Sequence, residues 1–140
     1  MSVKTIKQKS YSDITNEYEA GGGITPGHNV RLNASGNVIV NPTATGPAPA
    51  LFALEDELQG KTTRDAYVSG DRVQVWAVQS GEEVLAIIDS ALDPSIGDIL
   101  EPSTDGELQA QSAGNGPLYE VLEAKQIDAD SNHRILVRRI

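Results

Sequence analysis

From Ile24 onward, apolar and polar residues recur in short runs that are typical of β-strands. In the segment DRVQVWAVQ (71–79), positions 73, 75 and 77 are apolar and share one face, while Gln74, Trp76 and Val78 share the other. The segment EVLAIIDSAL (83–92) is apolar almost throughout. Such a run predicts a strand that is covered on both faces.

The remaining runs also favour strands. Val30 and Leu32 share one face, and a turn leads to a short apolar run at 38–40. The segment DILEPSTDGELQAQ predicts a hairpin in which Pro102 marks an edge or a bend. Residues 117–128 fit either a helix or a strand, and we favour the strand. The final segment, RILVRRI, predicts a strand with Ile135, Val137 and Arg139 on one face.

Glycine turns recur along the chain in three similar pairs. In each pair a glycine precedes a polar residue and an apolar run, and a second glycine follows 9 to 11 residues later: Gly27 and Gly36, Gly70 and Gly81, Gly97 and Gly106. Glycine tolerates the positive φ of tight turns, so each pair is expected to open and close a hairpin. Three hairpins predict an all-β fold, a small antiparallel β-barrel or sandwich.

The first twenty residues do not share this pattern. They are polar, Tyr11 and Tyr18 are their only aromatic residues, and the run AGGG (20–23) interrupts regular structure. We therefore expect an extended N-terminal arm at 1–20 and a β-barrel domain at 21–140.

Composition limits the core and the class of protein. A chain of 140 residues suits one domain, but only 39 % of it is apolar, with one Phe, one Trp and no Cys. Neither a secretory signal nor an apolar run long enough to span a membrane is apparent, so we expect a soluble protein made in a cytoplasm. Trp76 is expected in the core, and the alternative is a subunit-interface anchor.

The charge is unevenly distributed. The net charge is −9, yet residues 1–12 and 133–140 carry three bases each and no acid. The middle of the chain holds five bases and all 20 acids. An acidic body repels nucleic acid, whereas basic ends suit contact with an acidic protein surface.

No motif predicts catalysis or a cofactor. DADSNH (128–133) begins like a calcium-binding loop, but His133 and Arg139 stand where glycine and glutamate are required. The segment GKTT (60–63) lacks the upstream glycine of a phosphate-binding loop. We expect neither an enzyme nor a metal, cofactor or small-molecule site, and we interpret acidic clusters such as 55–57 and 82–83 as solvated surface.

The chain resembles the capsid decoration (cement) proteins of tailed bacteriophages. The resemblance runs from about Tyr18 to Ile140 and is most specific in ALEDELQGK, DAYVSGDRV and GEEV. It is absent from residues 1–17 and from the loop 41–50.

The resemblance implies a β-barrel or β-tulip domain with an N-terminal arm, bound to the major capsid protein on the outer surface of the virion head. It also implies a homotrimer at threefold positions of the lattice. A flexible arm and many equivalent contacts suit this role through multivalency. The residues that we expect at capsid or neighbour contacts are Lys4, Lys7, Lys9, Tyr11, Tyr18, Trp76, Arg138 and Arg139.

Two other functions stay open at this stage. A small glycan- or receptor-binding β-module needs an aromatic platform, for which four Tyr and one Trp offer little material. A trimeric hydrolase needs carboxylates that converge between subunits, which a sequence alone does not reveal.

Overall fold

The protein is built from short strands. The computed structural model describes residues 5–42, 48–112, 116–123 and 133–140, and in these residues there is no α-helix. One 3₁₀ helix spans Glu57–Gln59. The strands are β1 (Lys7–Lys9), β2 (Thr15–Glu19), β3 (Asn29–Leu32), β4 (Val38–Val40), β5 (Leu51–Ala53), β6 (Arg72–Ala77), β7 (Glu83–Ile87), β8 (Ile99–Pro102), β9 (Leu108–Ala110), β10 (Tyr119–Val121) and β11 (Arg134–Arg139).

The strands form two antiparallel sheets. The six-stranded sheet has the order β1-β7-β11-β10-β8-β9, and the five-stranded sheet has the order β2-β6-β5-β3-β4. The predicted all-β, antiparallel class is confirmed. Of the two predicted architectures, barrel and sandwich, the barrel is not formed, because the two sheets do not join into one continuous ladder.

Two glycines hold the sheets together where a barrel would close. The Gly27 N–H donates to the Ala53 carbonyl of the five-stranded sheet, and the Gly27 carbonyl accepts from the Ile87 N–H of the six-stranded sheet. Gly106, in the turn between β8 and β9, exchanges similar bonds with Asn29 and Asn41. Isolated backbone bonds of this kind fix the sheets without making a continuous barrel wall.

The core lies between the sheets and extends to a second apolar cluster. Trp76 and Val78 face the six-stranded sheet, and Trp76 has no exposed surface. Val73 and Val75 face the opposite way and pack in the second cluster. The predicted two-faced strand is therefore confirmed, and so is the core position of Trp76.

Strand β7 is buried on both faces and along both edges. Its residues from Val84 to Ile87 are all at most 3 % exposed. One edge pairs with β11, and the other is covered by β1 and Gly27. The apolar run at 83–92 predicted this burial. Of the strand predicted at 117–128, residues Tyr119–Val121 form β10, and residues 124–128 lie outside the described residues.

The recurring glycines occupy one kind of turn. In the turns 25–28, 68–71 and 95–98, the fourth residue's N–H donates to the first residue's carbonyl over 3.0 Å. The glycine at the third position has φ between 92° and 102°. The fourth side chain accepts from the first residue's N–H, through Asp71, Asp98 or the Nδ1 of His28. Residues 79–82 form a fourth turn of this kind, with Glu82 as the acceptor.

Two of the three predicted hairpins are present. β3 pairs with β4, and β8 pairs with β9. The third pair is a correction, because β6 and β7 belong to different sheets and the turn at 79–82 carries the chain from one sheet to the other. Alternation of side chains identifies a strand but does not say which strand it pairs with.

The N-terminal segment departs from the expected loose arm. Within residues 5–20, β1 pairs with β7 and β2 pairs with β6, so the segment supplies an edge strand to each sheet. Ile6 is fully buried in the core. This part of the predicted arm is extended, but it is packed on the body.

Candidate interaction surface

A buried carboxylate holds the N-terminal segment between its two strands. Glu82 is 1 % exposed and accepts hydrogen bonds from the N–H groups of Tyr11 and Ser12, both 2.9 Å long. It also accepts from the Ser12 hydroxyl and from the Gln79 N–H. Burial alone raises the pKa of Glu82, but the bonds from Gln79, Ser12 and Tyr11 outweigh it and hold the pKa below its ordinary value.

This anchor presents exposed apolar side chains at one end of the molecule. The Tyr11 hydroxyl donates to the Ser80 carbonyl over 2.8 Å, while 73 % of the residue remains exposed. The Ile14 carbonyl accepts from the Ala77 N–H, and Ile14 is 51 % exposed. Ile140 is 58 % exposed and follows Arg139, whose carbonyl accepts from Gly81. We call Tyr11, Ile14, Ile140 and the turn 79–82 the end surface.

A row of alternating charges crosses the six-stranded sheet beside the end surface. Lys9, Glu83, Arg138 and Glu120 lie at matching register positions on four neighbouring strands. Arg138 donates to the Glu120 carboxylate over 2.6 Å. Its charge is therefore largely balanced within the chain, and its expected role at a capsid or neighbour contact stays a prediction.

Lys7 is also engaged within the chain. Its ammonium pairs with the Asp13 carboxylate and lies 5.3 Å from the centre of the Trp76 ring. Lys9, by contrast, is exposed. Lys4, the remaining predicted basic contact, lies outside the described residues.

The predicted aromatic contacts divide into exposed and buried residues. Tyr11 is exposed, whereas Tyr18 is half-buried on β2, opposite Val73. Trp76 has no exposed surface in this chain, so its ring cannot reach a partner without a rearrangement of the core. The structure places Lys9 and Arg139 next to the turn 79–82 of the end surface, whereas Trp76 is buried and Tyr18 lies farther along β2.

A groove opens next to the end surface, between the ends of the two sheets. It has a volume of about 430 Å³ and is lined mainly by small and apolar side chains. Residues that form its walls are Pro49, Ala50, Val78, Gln79, Pro117 and Arg139. The Arg139 side chain bridges the sheets by donating to the Val78 carbonyl.

A fully buried cation, Arg134, serves the fold. Arg134 has no exposed surface and donates to the carbonyls of Pro26 and Thr63, which ties two loops to β11. Beside it, His28 accepts the Thr25 N–H at Nδ1 over 3.0 Å. Burial, reinforced by the Arg134 charge, lowers the pKa of His28 to about 4. The imidazole is therefore neutral near pH 7 and acts as a turn acceptor.

Sequence reasoning did not identify two features of this region. Glu82 was interpreted as solvated surface, although the match between 79–82 and the other glycine turns could have revealed its acceptor role. The groove walls at Pro49, Ala50 and Pro117 come from loop segments without a strand pattern, so only the fold brings them together.

The structure bears on the expectations about metal sites and membrane spans only through the residues that it describes. Residues 128–132 of the calcium-like segment lie outside the described residues. Among the residues that are described, no group of His, Asp or Glu is arranged to hold a metal ion. In the same part of the chain, no helix has the length and apolar character needed to cross a membrane.

Comparison with known proteins adds no relative. No family model matches the chain, and no curated protein matches it.

Proposed function

We propose that this protein is a capsid decoration protein, which binds the outer surface of a tailed-phage head and stabilises the lattice of the major capsid protein. We further propose that it acts as a homotrimer. The observation that carries the proposal is the end surface, where hydrogen bonds tie exposed Tyr11 and Ile14, and the Arg139 that precedes exposed Ile140, to the segment 77–81. Exposed apolar side chains clustered at one end of a domain are a common mark of protein contact.

The electrostatics of the body support docking through this end. The chain carries a net charge of −9, so two copies repel each other over most of their surfaces. The outward strand β2 bears Glu17 and Glu19 on the edge of its sheet, which disfavours edge-to-edge pairing. Contact through an apolar end avoids both effects and leaves the body facing solvent.

The test is binding to undecorated heads of the phage that encodes this chain. Cosedimentation is expected to show saturable binding of the wild-type protein at a fixed ratio to the major capsid protein. The variant Ile14→Asp is expected to bind at least about tenfold more weakly, because it places a charge in the apolar contact. Absence of wild-type binding would overturn the proposed function.

Leu58→Asp is the matched control for Ile14→Asp. Leu58 is 81 % exposed on the 3₁₀ helix, outside the end surface. It adds the same charge at another exposed apolar position and is expected to bind like wild type. Truncation is a poorer test, because removing residues 1–18 uncovers the edges of β6 and β7 and deletes buried Ile6.

The aromatic residues do not favour the carbohydrate-binding alternative. All six aromatic side chains lie in the described residues, and of these only Tyr11 is mainly exposed. Trp76, Phe52 and Tyr119 lie in the core, where they cannot stack on a sugar.

A further inference from the structure

The groove beside the end surface has the dimensions and lining of a peptide site. Its volume of about 430 Å³ falls within the usual range for binding clefts. One wall comes from Pro49 and Ala50, which precede β5, and another from Pro117, which precedes β10. The Ala50 carbonyl accepts from the Val78 N–H, so the wall at 48–50 is held against the end of β6.

Arg139 gives this apolar groove one specific polar group. The residue lines the groove, and one terminal nitrogen donates to the Val78 carbonyl. Its Nε is buried and has no acceptor among the residues that the structure describes. Within the same residues Arg139 forms no ion pair with a carboxylate, although the neighbouring Arg138 does.

A guanidinium without a carboxylate partner on the wall of a groove favours a carboxylate ligand. Because Arg139 lines the groove, a carboxylate placed there can approach the guanidinium and supply an acceptor. Arginine binds carboxylates in a forked geometry that uses two nitrogens at once. Apart from Gln79, the other lining residues are small or apolar, so the rest of the ligand is mainly apolar.

We propose that this groove binds an extended segment of a partner protein in which an apolar side chain is next to a carboxylate. The apolar side chain packs between Pro49, Ala50 and Pro117, and the carboxylate binds Arg139. The identity of the partner rests on the proposed function, which makes it the major capsid protein. The site extends the end surface into a pocket with a defined chemical preference.

The first experiment tests the ligand chemistry without any capsid. A blocked tetrapeptide of alternating leucine and glutamate is titrated into ¹⁵N-labelled protein, and a leucine–glutamine peptide of the same length serves as the comparison. Amide shifts are expected at 48–51, 77–79 and 139–140, with affinity for the glutamate peptide about tenfold higher, the effect of one charge-assisted contact. Equal affinity for the two peptides, or shifts elsewhere only, overturns the inference.

Adjacent arginines provide matched variants for this titration. Arg139→Gln is expected to abolish the preference for glutamate. Arg138→Gln removes the same charge from the next position of β11, where the side chain pairs with Glu120, and is expected to retain the preference. Loss of the preference in both variants would indicate a general charge effect and would contradict a specific role for Arg139.

A second experiment connects the groove to the capsid. Ala50→Glu places a carboxylate in the groove wall and is expected to bind undecorated heads at least about tenfold more weakly than wild type. Val68→Glu is the control, since Val68 is 64 % exposed outside the groove. If Ala50→Glu binds heads normally while wild type also binds, the inference fails and the proposed function stands.

Other outcomes separate the two proposals further. If the wild-type protein does not bind undecorated heads but prefers the glutamate peptide through Arg139, the proposed function fails. The proposed preference of the groove for a carboxylate ligand then stands. If light scattering shows that the wild-type protein is oligomeric and that the Ala50→Glu variant is monomeric, the groove is occupied by a second copy of this chain. In that case the inference is overturned.

Discussion

At the scale of single residues, the molecule depends on side chains that accept backbone hydrogen bonds. Glu82 is the clearest case, because one carboxylate accepts from Tyr11, Ser12 and Gln79 and thereby connects the N-terminal segment to a turn. Bonds between N–H groups and a carboxylate are stronger than neutral ones. The position of the N-terminal segment therefore depends on the charge of one buried residue.

Replacing Glu82 with Gln tests this dependence. The amide nitrogen of glutamine is a donor and cannot accept from the N–H groups that face it, so we expect a loss of about 1.5–3 kcal/mol in the free energy of unfolding. Hydrogen exchange of the Leu85 N–H, which donates to the Ile6 carbonyl, is expected to accelerate first. Glu83→Gln is the control, and equal exchange in the two variants would contradict the anchor.

At the scale of elements, the glycine turns share geometry but differ in what surrounds them. Gly27 and Gly97 both occupy the third position of the turn, with φ of 102° and 92°. A Cβ added at Gly27 would lie 3.1 Å from the Ile87 side chain and 3.2 Å from the Leu85 carbonyl oxygen. A Cβ at Gly97 would meet nothing within 4 Å.

Alanine at these two positions separates backbone strain from close packing. We expect Gly97→Ala to lose about 1–2 kcal/mol, the cost of positive φ for a residue with a Cβ. Gly27→Ala is expected to lower the free energy of unfolding by about 1 kcal/mol more than Gly97→Ala does. The added methyl group would crowd the Ile87 side chain and the Leu85 carbonyl oxygen where the two sheets meet. Urea unfolding of both variants measures the difference. Equal losses of unfolding free energy would show that the contact between the sheets at Gly27 tolerates the added methyl group.

The elements also show what a sequence can predict. Alternation at 71–79 and the apolar run at 83–92 predicted two strands and their burial, because side-chain period and burial are local properties. The way the two sheets are joined depends instead on backbone bonds at Gly27 and Gly106. These bonds are not visible in the pattern of apolar and polar side chains. The groove was missed for a related reason, since its walls are loop segments distant in sequence.

The polar N-terminal segment shows the same limit. It has little apolar content and so resembles a loose arm. Yet two buried side chains among its described residues, Ile6 and Ala20, and a row of backbone bonds suffice to pair it with both sheets. Ile6 supplies the apolar contact, and Glu82 supplies acceptors that the sequence places seventy residues away. Backbone pairing depends little on which side chain a residue carries, so composition predicts it poorly.

At the scale of the whole molecule, stability in mild acid depends on neutral His28. The turn 25–28 joins the sheets through Gly27, and the His28 Nδ1 must remain unprotonated to accept the Thr25 N–H. Burial and Arg134 lower the pKa of His28 to about 4, while Asp105 opposes the shift. An ordinary histidine in the unfolded chain has a pKa of about 6.5.

The sign of this effect follows from proton uptake. The unfolded chain binds a proton at higher pH than the native chain, so the stability that His28 contributes is complete above about pH 6.5 and is lost as pH falls towards 4. Glu82 has a lowered pKa and loses its contribution only at lower pH, when its carboxylate is protonated. The loss through Glu82 begins near its unfolded pKa of 4.5, so the range from pH 7 to pH 5 reports mainly on His28.

Comparison of pH 7 with pH 5 isolates the histidine. Over this range we expect the wild-type free energy of unfolding to fall by about 2 kcal/mol through His28, because each pKa unit corresponds to about 1.4 kcal/mol. His28→Asn keeps a side-chain acceptor at the fourth turn position but cannot take up a proton, so its unfolding free energy should change much less. Urea unfolding at the two pH values measures both changes. Equal pH dependence in wild type and variant would mean that other groups, and not the turn that joins the sheets, set the acid limit of the fold.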